Sequence, residues 1–102
     1  MPNQALPADG VYATWCSRPA TGEILPSVTS VGTRPTFDDD ARLVEIYIID
    51  YDADLYGETL VAQFVDYLRP QIRFNSIEVL IEVMGTDTAT AREILASAPR
   101  PE

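Results

Sequence analysis

The hydrophobic period of this chain changes once, and that change limits the folds open to it. Up to Leu68 the apolar residues come in short runs rich in β-branched and aromatic side chains, broken by Gly, Pro and Asp. Such runs read as strands. From Ser76 onward Ile77, Leu80, Ile81 and Met84 recur at i, i+3, i+4 and i+7, the stripe of an amphipathic helix. The pattern predicts strands over Val11–Cys16, Ser27–Val31, Leu43–Asp50 and Thr59–Leu68. Pro70 ends the last of these, because proline has no N–H to give a ladder. Between them Ser17–Pro26 is expected as a hairpin loop, Gly32–Ala41 as a long loop and Tyr51–Gly57 as a turn. Asn75 is expected to cap the helix, with Glu78 as its capping-box partner. The stripe resumes at Ala91 and Leu95 after a weak patch at Gly85, and Pro99 and Pro101 mark a frayed tail. Strands first and one helix last imply an antiparallel sheet or small barrel with a C-terminal helix.

Length and charge narrow the function. A chain of 102 residues with 46% hydrophobic content is one domain with a workable core. Its 16 acids against 7 bases give a net charge of −9, which argues against a basic-patch nucleic-acid binder. All the bases are Arg, so the P-loop lysine is missing. With no His, histidine triads and most zinc sites are excluded. Cys16 stands alone, which fits a reducing, cytoplasmic setting and excludes a disulfide framework. No apolar run approaches the roughly 18 residues of a membrane span. The opening Met-Pro-Asn-Gln shows no signal peptide.

Three features look out of place. Alternation in the run LVEIYIID puts Glu45 on a strand with apolar residues on both faces, so the strand is expected to be covered on both sides. A carboxylate there is costly unless it is bonded or reached from a cleft. Glu45 is therefore either a general base or a rim residue facing water or an Arg. Asp87, three residues after Met84, returns toward the apolar helix face. It is either a ligand-facing acid or a residue at a helix break beside Gly85. From Asp38 to Asp54 the chain holds seven acids and one base. Asp50, Asp52 and Asp54 imitate the start of an EF-hand, but Leu55 and Val61 replace its Gly and Glu, leaving a solvated acidic turn. Gly32-Thr33-Arg34-Pro35-Thr36-Phe37 reads equally as a phosphate-holding loop or an ordinary Pro turn. Local chemistry alone gives a small acidic β-rich domain without naming a reaction.

Taken in order, several segments resemble one family. They are Gly10-Val11-Tyr12-Ala13, then Val31-Gly32-Thr33-Arg34-Pro35-Thr36-Phe37, and Val44-Glu45 followed by Asp54-Leu55-Tyr56-Gly57. Leu68-Arg69-Pro70, Phe74, Ser76 and Asp87 complete the series. The set resembles riboflavin kinase, usually the C-terminal domain of bacterial bifunctional riboflavin kinase/FMN adenylyltransferase (FAD synthetase). The resemblance implies a six-stranded antiparallel Greek-key barrel with a C-terminal α-helix. It also implies transfer of the ATP γ-phosphate to the riboflavin 5′-hydroxyl, giving ADP and FMN, with Mg²⁺. By the same resemblance Glu45 is the catalytic base, and Arg69, Phe74 and Asp87 bind flavin. Leu55, Tyr56, Gly57 and Thr33 fall beside the nucleotide.

The departures set further expectations. The family's Gly-Phe-Pro-Thr-Ala-Asn segment, whose Thr and Asn hold Mg²⁺ and phosphates, is not in this chain, and Pro2–Pro7 resembles the linker after it. Residues 1–102 are thus expected to be one riboflavin-kinase-like domain truncated at its N-terminus. It would lack the first strand and the metal ligands, and would be weak or inactive alone. An adenylyltransferase domain is expected upstream, and self-association through the open barrel edge. Ser30 stands where the family usually has Asn, Tyr47 where it often has His, and Gln71 where Glu is frequent. Two other classes fit the same residues: a non-catalytic flavin-binding or assembly module, and a β-domain that no longer serves flavin.

Overall fold

The computed structural model describes residues 7–33, 42–51 and 57–101. Among them are four strands, β1 (Gly10–Arg18), β2 (Glu23–Thr33), β3 (Arg42–Ile48) and β4 (Val61–Arg69), followed by one helix, α1 (Ile77–Ser97). The strands form one sheet in the order β3-β2-β1-β4, every neighbouring pair antiparallel. The mostly β class with a C-terminal helix is as expected. Four strands appear among the described residues where the resemblance implied six with the first lacking.

Each predicted strand is present, and β1 and β2 run longer than predicted. The loop expected over 17–26 shrinks to a tight turn, and Pro26 lies inside β2 opposite Trp15. Proline is tolerated there because of where the β2–β3 ladder stops. A strand residue's N–H and C=O point to the same side, and the Pro26 carbonyl accepts from Ile49 N at 2.9 Å. The missing N–H therefore points away from β1, at the end of the β2–β3 ladder, and the β1–β2 ladder loses no bond.

The sheet has two distinct faces. Val11, Ala13 and Trp15 on β1 share one face with Pro26, Val28 and Ser30 on β2 and with Glu45 and Tyr47 on β3. Helix α1 covers part of this face, and Ala13, Trp15, Ile49, Ala91 and Leu95 form the core between them. Alanines at 13 and 91, both fully buried, let helix and sheet approach closely. On the other face the Tyr12 ring meets the rings of Phe64 and Tyr67 edge-on, at 5.1 and 5.3 Å between centroids. Beside them the buried Thr14 hydroxyl pairs with Ser27 at 2.6 Å and Thr29 at 2.8 Å, so these polar groups satisfy one another. Cys16 is buried on this face, and burial pushes its thiol pKa up, which leaves it unreactive.

Helix α1 corrects three expectations. Ser76, not Asn75, is the cap: its extended backbone lets its hydroxyl accept from Val79 N at 3.2 Å. Glu78 then sits in the first turn and favours the helix dipole instead of closing a capping box. The helix also runs unbroken through Gly85. The face it buries is Asp87, Ala91 and Leu95, spaced by four, whereas Ile77 and Ile81 of the predicted stripe stay more than 60% exposed, at 65% and 64%. The first half of the helix therefore overhangs the sheet.

Among the described residues β3 has only β2 beside it, and on its faces Leu43, Val44 and Tyr47 are exposed. The expectation of a strand covered on both sides fails for that reason. Arg18 gathers the segments flanking residues 52–56. Its Nε and Nη2 donate to Glu58 at 2.6 and 3.0 Å, and its Nη1 donates to Glu23 and Tyr51. Hydrogen bonding from Arg18 holds the Glu58 carboxyl below the usual carboxylate range. Tyr51 and Glu58 are thus held to the same guanidinium. Within the acidic run, Asp50 pairs with Arg92 at 2.7 Å, while Asp52 and Asp54 lie outside the described residues.

Candidate functional site

The half-covered sheet face and the overhanging helix enclose a cleft of about 360 Å³, within the range of small-molecule sites. Glu45 lies in its wall on β3, and Ser30 on β2 is its cross-strand partner. Arg69 ends β4, Phe74 sits on the linker to α1, and Asp87 lies on the helix; all three line the same cleft. Residues drawn from four separate parts of the sequence thus converge. Glu45 is exposed and so escapes the burial cost that the apolar strand suggested.

Asp87 is the buried acid of this site, 6% exposed. It is compensated in full. Arg69 Nε donates to Oδ1 at 2.9 Å, and Nη2 donates to Oδ2 at 2.8 Å, a two-pronged ion pair. The same guanidinium lies 5.8 Å from the Phe74 ring centre and donates from Nη1 to the Pro70 carbonyl at 3.0 Å. Arg69 therefore ties together the helix, the end of β4 and the linker that carries Phe74. Asp87 is a buried helix-face anchor, not a residue at a helix break.

On the other side of the linker, Gln71 Nε2 donates to Ser30 Oγ at 2.7 Å and to the Val31 carbonyl at 2.9 Å. Tyr47 and Met84 stand between the cleft and a wider groove of about 660 Å³ along α1. Sequence reasoning gave Ser30, Tyr47 and Gln71 no site role. Only the register, which sets Ser30 opposite Glu45 and Val28 opposite Tyr47, would have found the first two.

The expected nucleotide residues are less fully described. Leu55 and Tyr56 lie outside the described residues. Thr33 ends β2, paired with Arg42 in the ladder. Gly57 has φ 81°, a left-handed turn geometry that glycine adopts without strain.

An antiparallel sheet with a helix-walled, carboxylate-bearing cleft of ligand size defines a small β-domain of α+β build. The family described as riboflavin kinase matches residues 1–95, and this chain belongs to it. The mouse riboflavin kinase is 36% identical over 94 residues, covering 88% of this chain and 60% of that protein. The riboflavin kinase of Eremothecium gossypii is 35% identical over 77 residues, covering 74% of this chain and 41% of its own length. The bifunctional riboflavin kinase/FMN adenylyltransferase of Listeria monocytogenes is 34% identical over 92 residues, covering 89% of this chain and 29% of that protein. The chain thus spans between 29% and 60% of the length of these relatives. A solved Streptococcus pneumoniae structure described as a macrolide-efflux protein superposes with a TM-score of 0.78 at 31% identity, covering 86% of this chain and 28% of that one. No helix among the described residues is long and apolar enough to cross a membrane.

Proposed function

We propose that this chain is the flavin-phosphorylating domain of a riboflavin kinase. The observation that carries the proposal is the gathering of Glu45, Arg69, Phe74 and Asp87 around one cleft. Glu45 takes the proton of the riboflavin 5′-hydroxyl as that oxygen bonds to the γ-phosphorus of ATP. The bond from the γ-phosphorus to the β-bridging oxygen breaks, releasing ADP and leaving FMN. Arg69, held by Asp87, fixes Phe74 against the flavin. Gly57, Thr33, Leu55 and Tyr56 border the nucleotide.

Phosphoryl transfer of this kind uses Mg²⁺ to neutralise the phosphates. Among the described residues no three His, Cys, Asp or Glu side chains lie close enough to hold a metal. Mg²⁺ at such sites is held largely by substrate phosphates and waters, and no step here is routed through the metal. The expected outcome is that the 102-residue chain binds riboflavin but turns over Mg-ATP poorly. Extending it upstream with a Gly-Phe-Pro-Thr-Ala-Asn strand should restore activity. An ADP-release assay decides: turnover by the bare chain on the order of 1 s⁻¹ contradicts this. Flavin binding with no gain from the extension favours a non-catalytic flavin module instead.

ATP and riboflavin as substrates support a cytoplasmic setting, and the bifunctional relatives support an adenylyltransferase domain preceding this one in the full-length protein. Both outer strands carry exposed apolar residues, Val44 on β3 and Val61 and Val65 on β4, which supports self-association through an open edge. Sedimentation velocity should show association rising with concentration; a compact monomer throughout contradicts it.

A further inference from the structure

The Gln71–Ser30 contact carries an inference that rests on the flavin reading and extends it to the rest of the ligand. The Val31 carbonyl can only accept, so the Gln71 atom 2.9 Å from it is the NH₂ group, which fixes the orientation of the amide. That group also donates to Ser30 Oγ at 2.7 Å. Ser30 is thereby an acceptor toward Gln71 and keeps its own proton to donate. The Gln71 Oε1, at the other corner of the amide, has no hydrogen bond among the described residues. Gly32 makes the arrangement possible: a Cβ there would lie 3.0 Å from Gln71 Nε2. Both residues line the cleft, Gln71 is exposed, and Ser30 sits directly across the ladder from Glu45.

The wall beside Glu45 therefore offers one hydroxyl donor and one carbonyl acceptor, locked to each other. Neighbouring hydroxyls of a polyol, each both donor and acceptor, match that pair. We propose that Ser30 and Gln71 are the polyol-recognition pair of this site: Ser30 donates to one ribityl hydroxyl, Gln71 Oε1 accepts from the next, and together they present the terminal hydroxyl to Glu45. They set specificity for the chain of the flavin, not for its ring.

The test compares riboflavin with lumiflavin, which has the same ring but a methyl group in place of the ribityl chain. Binding is measured on the full chain by flavin fluorescence quenching. Wild type should prefer riboflavin. Ser30→Ala and Gln71→Ala should each weaken riboflavin binding by about tenfold and leave lumiflavin binding unchanged. Ser30→Thr, which keeps the hydroxyl on a residue suited to a strand, should retain riboflavin binding. Equal weakening for both flavins, or unchanged riboflavin binding in both Ala variants, overturns the assignment and leaves the flavin reading intact. Failure of wild type to bind either flavin overturns the flavin reading and this assignment with it.

Discussion

Glu45→Gln should lower riboflavin phosphorylation by about 10²–10⁴-fold, the range lost with a general base. Gln keeps the size and hydrogen-bonding reach of Glu but cannot take the hydroxyl proton. Glu45 is exposed in the cleft wall on β3, so the change leaves no buried charge or cavity. The fold and riboflavin affinity should therefore survive while kcat falls. The assay is steady-state ADP release from the chain extended upstream with the family's metal-binding segment, alongside flavin titration. A variant that keeps its kcat, or loses activity only through weaker riboflavin binding, would remove Glu45 from the role of base.

Arg69→Ala should destabilise the domain by about 3 kcal/mol, at the lower end for breaking a buried pair. The loss of the partner strands the Asp87 carboxylate, which is 6% exposed and accepts hydrogen bonds on both oxygens from Arg69. At about 4–8 °C per kcal/mol for a domain of this size, the melting temperature should fall by more than about 10 °C. Asp87→Ala should cost less, because Arg69 is the more exposed partner, with 18% side-chain exposure against 8%, and can turn toward water. Joining both changes should cost less than their sum, since no charge is then left buried. Riboflavin affinity should drop in each variant, because Phe74 loses the guanidinium that holds its linker. Full additivity of the two changes would show that the pair does not act as a unit.

Much of the fold was legible because its elements are local. The four strands and the helix of the described residues follow from runs and periods in the sequence, and the errors fall where tertiary context decides. The stripe from Ile77 to Met84 has a sound helical period, yet its first turns overhang the sheet, and periodicity cannot say which part of a helix finds a partner. Apolar alternation on both faces suggested that β3 was covered, but Leu43, Val44 and Tyr47 are exposed. Asn75 and Ser76 are both good caps, and a one-residue choice between them lies below what sequence resolves. The site was legible only through the ordered resemblance. Periodicity placed Asp87 on the buried helix face but could not name Arg69 as its partner. The Gln71–Ser30 link leaves no local signal, because neither residue breaks its segment's pattern and they are far apart in sequence.

The most direct test of the whole account is a riboflavin titration of the 102-residue chain followed by flavin fluorescence, repeated with Phe74→Ala. The account predicts saturable quenching by the wild-type chain, markedly weakened in Phe74→Ala, because the flavin sits in the cleft that Phe74 lines. Absence of saturable quenching, or quenching indifferent to Phe74, would contradict it.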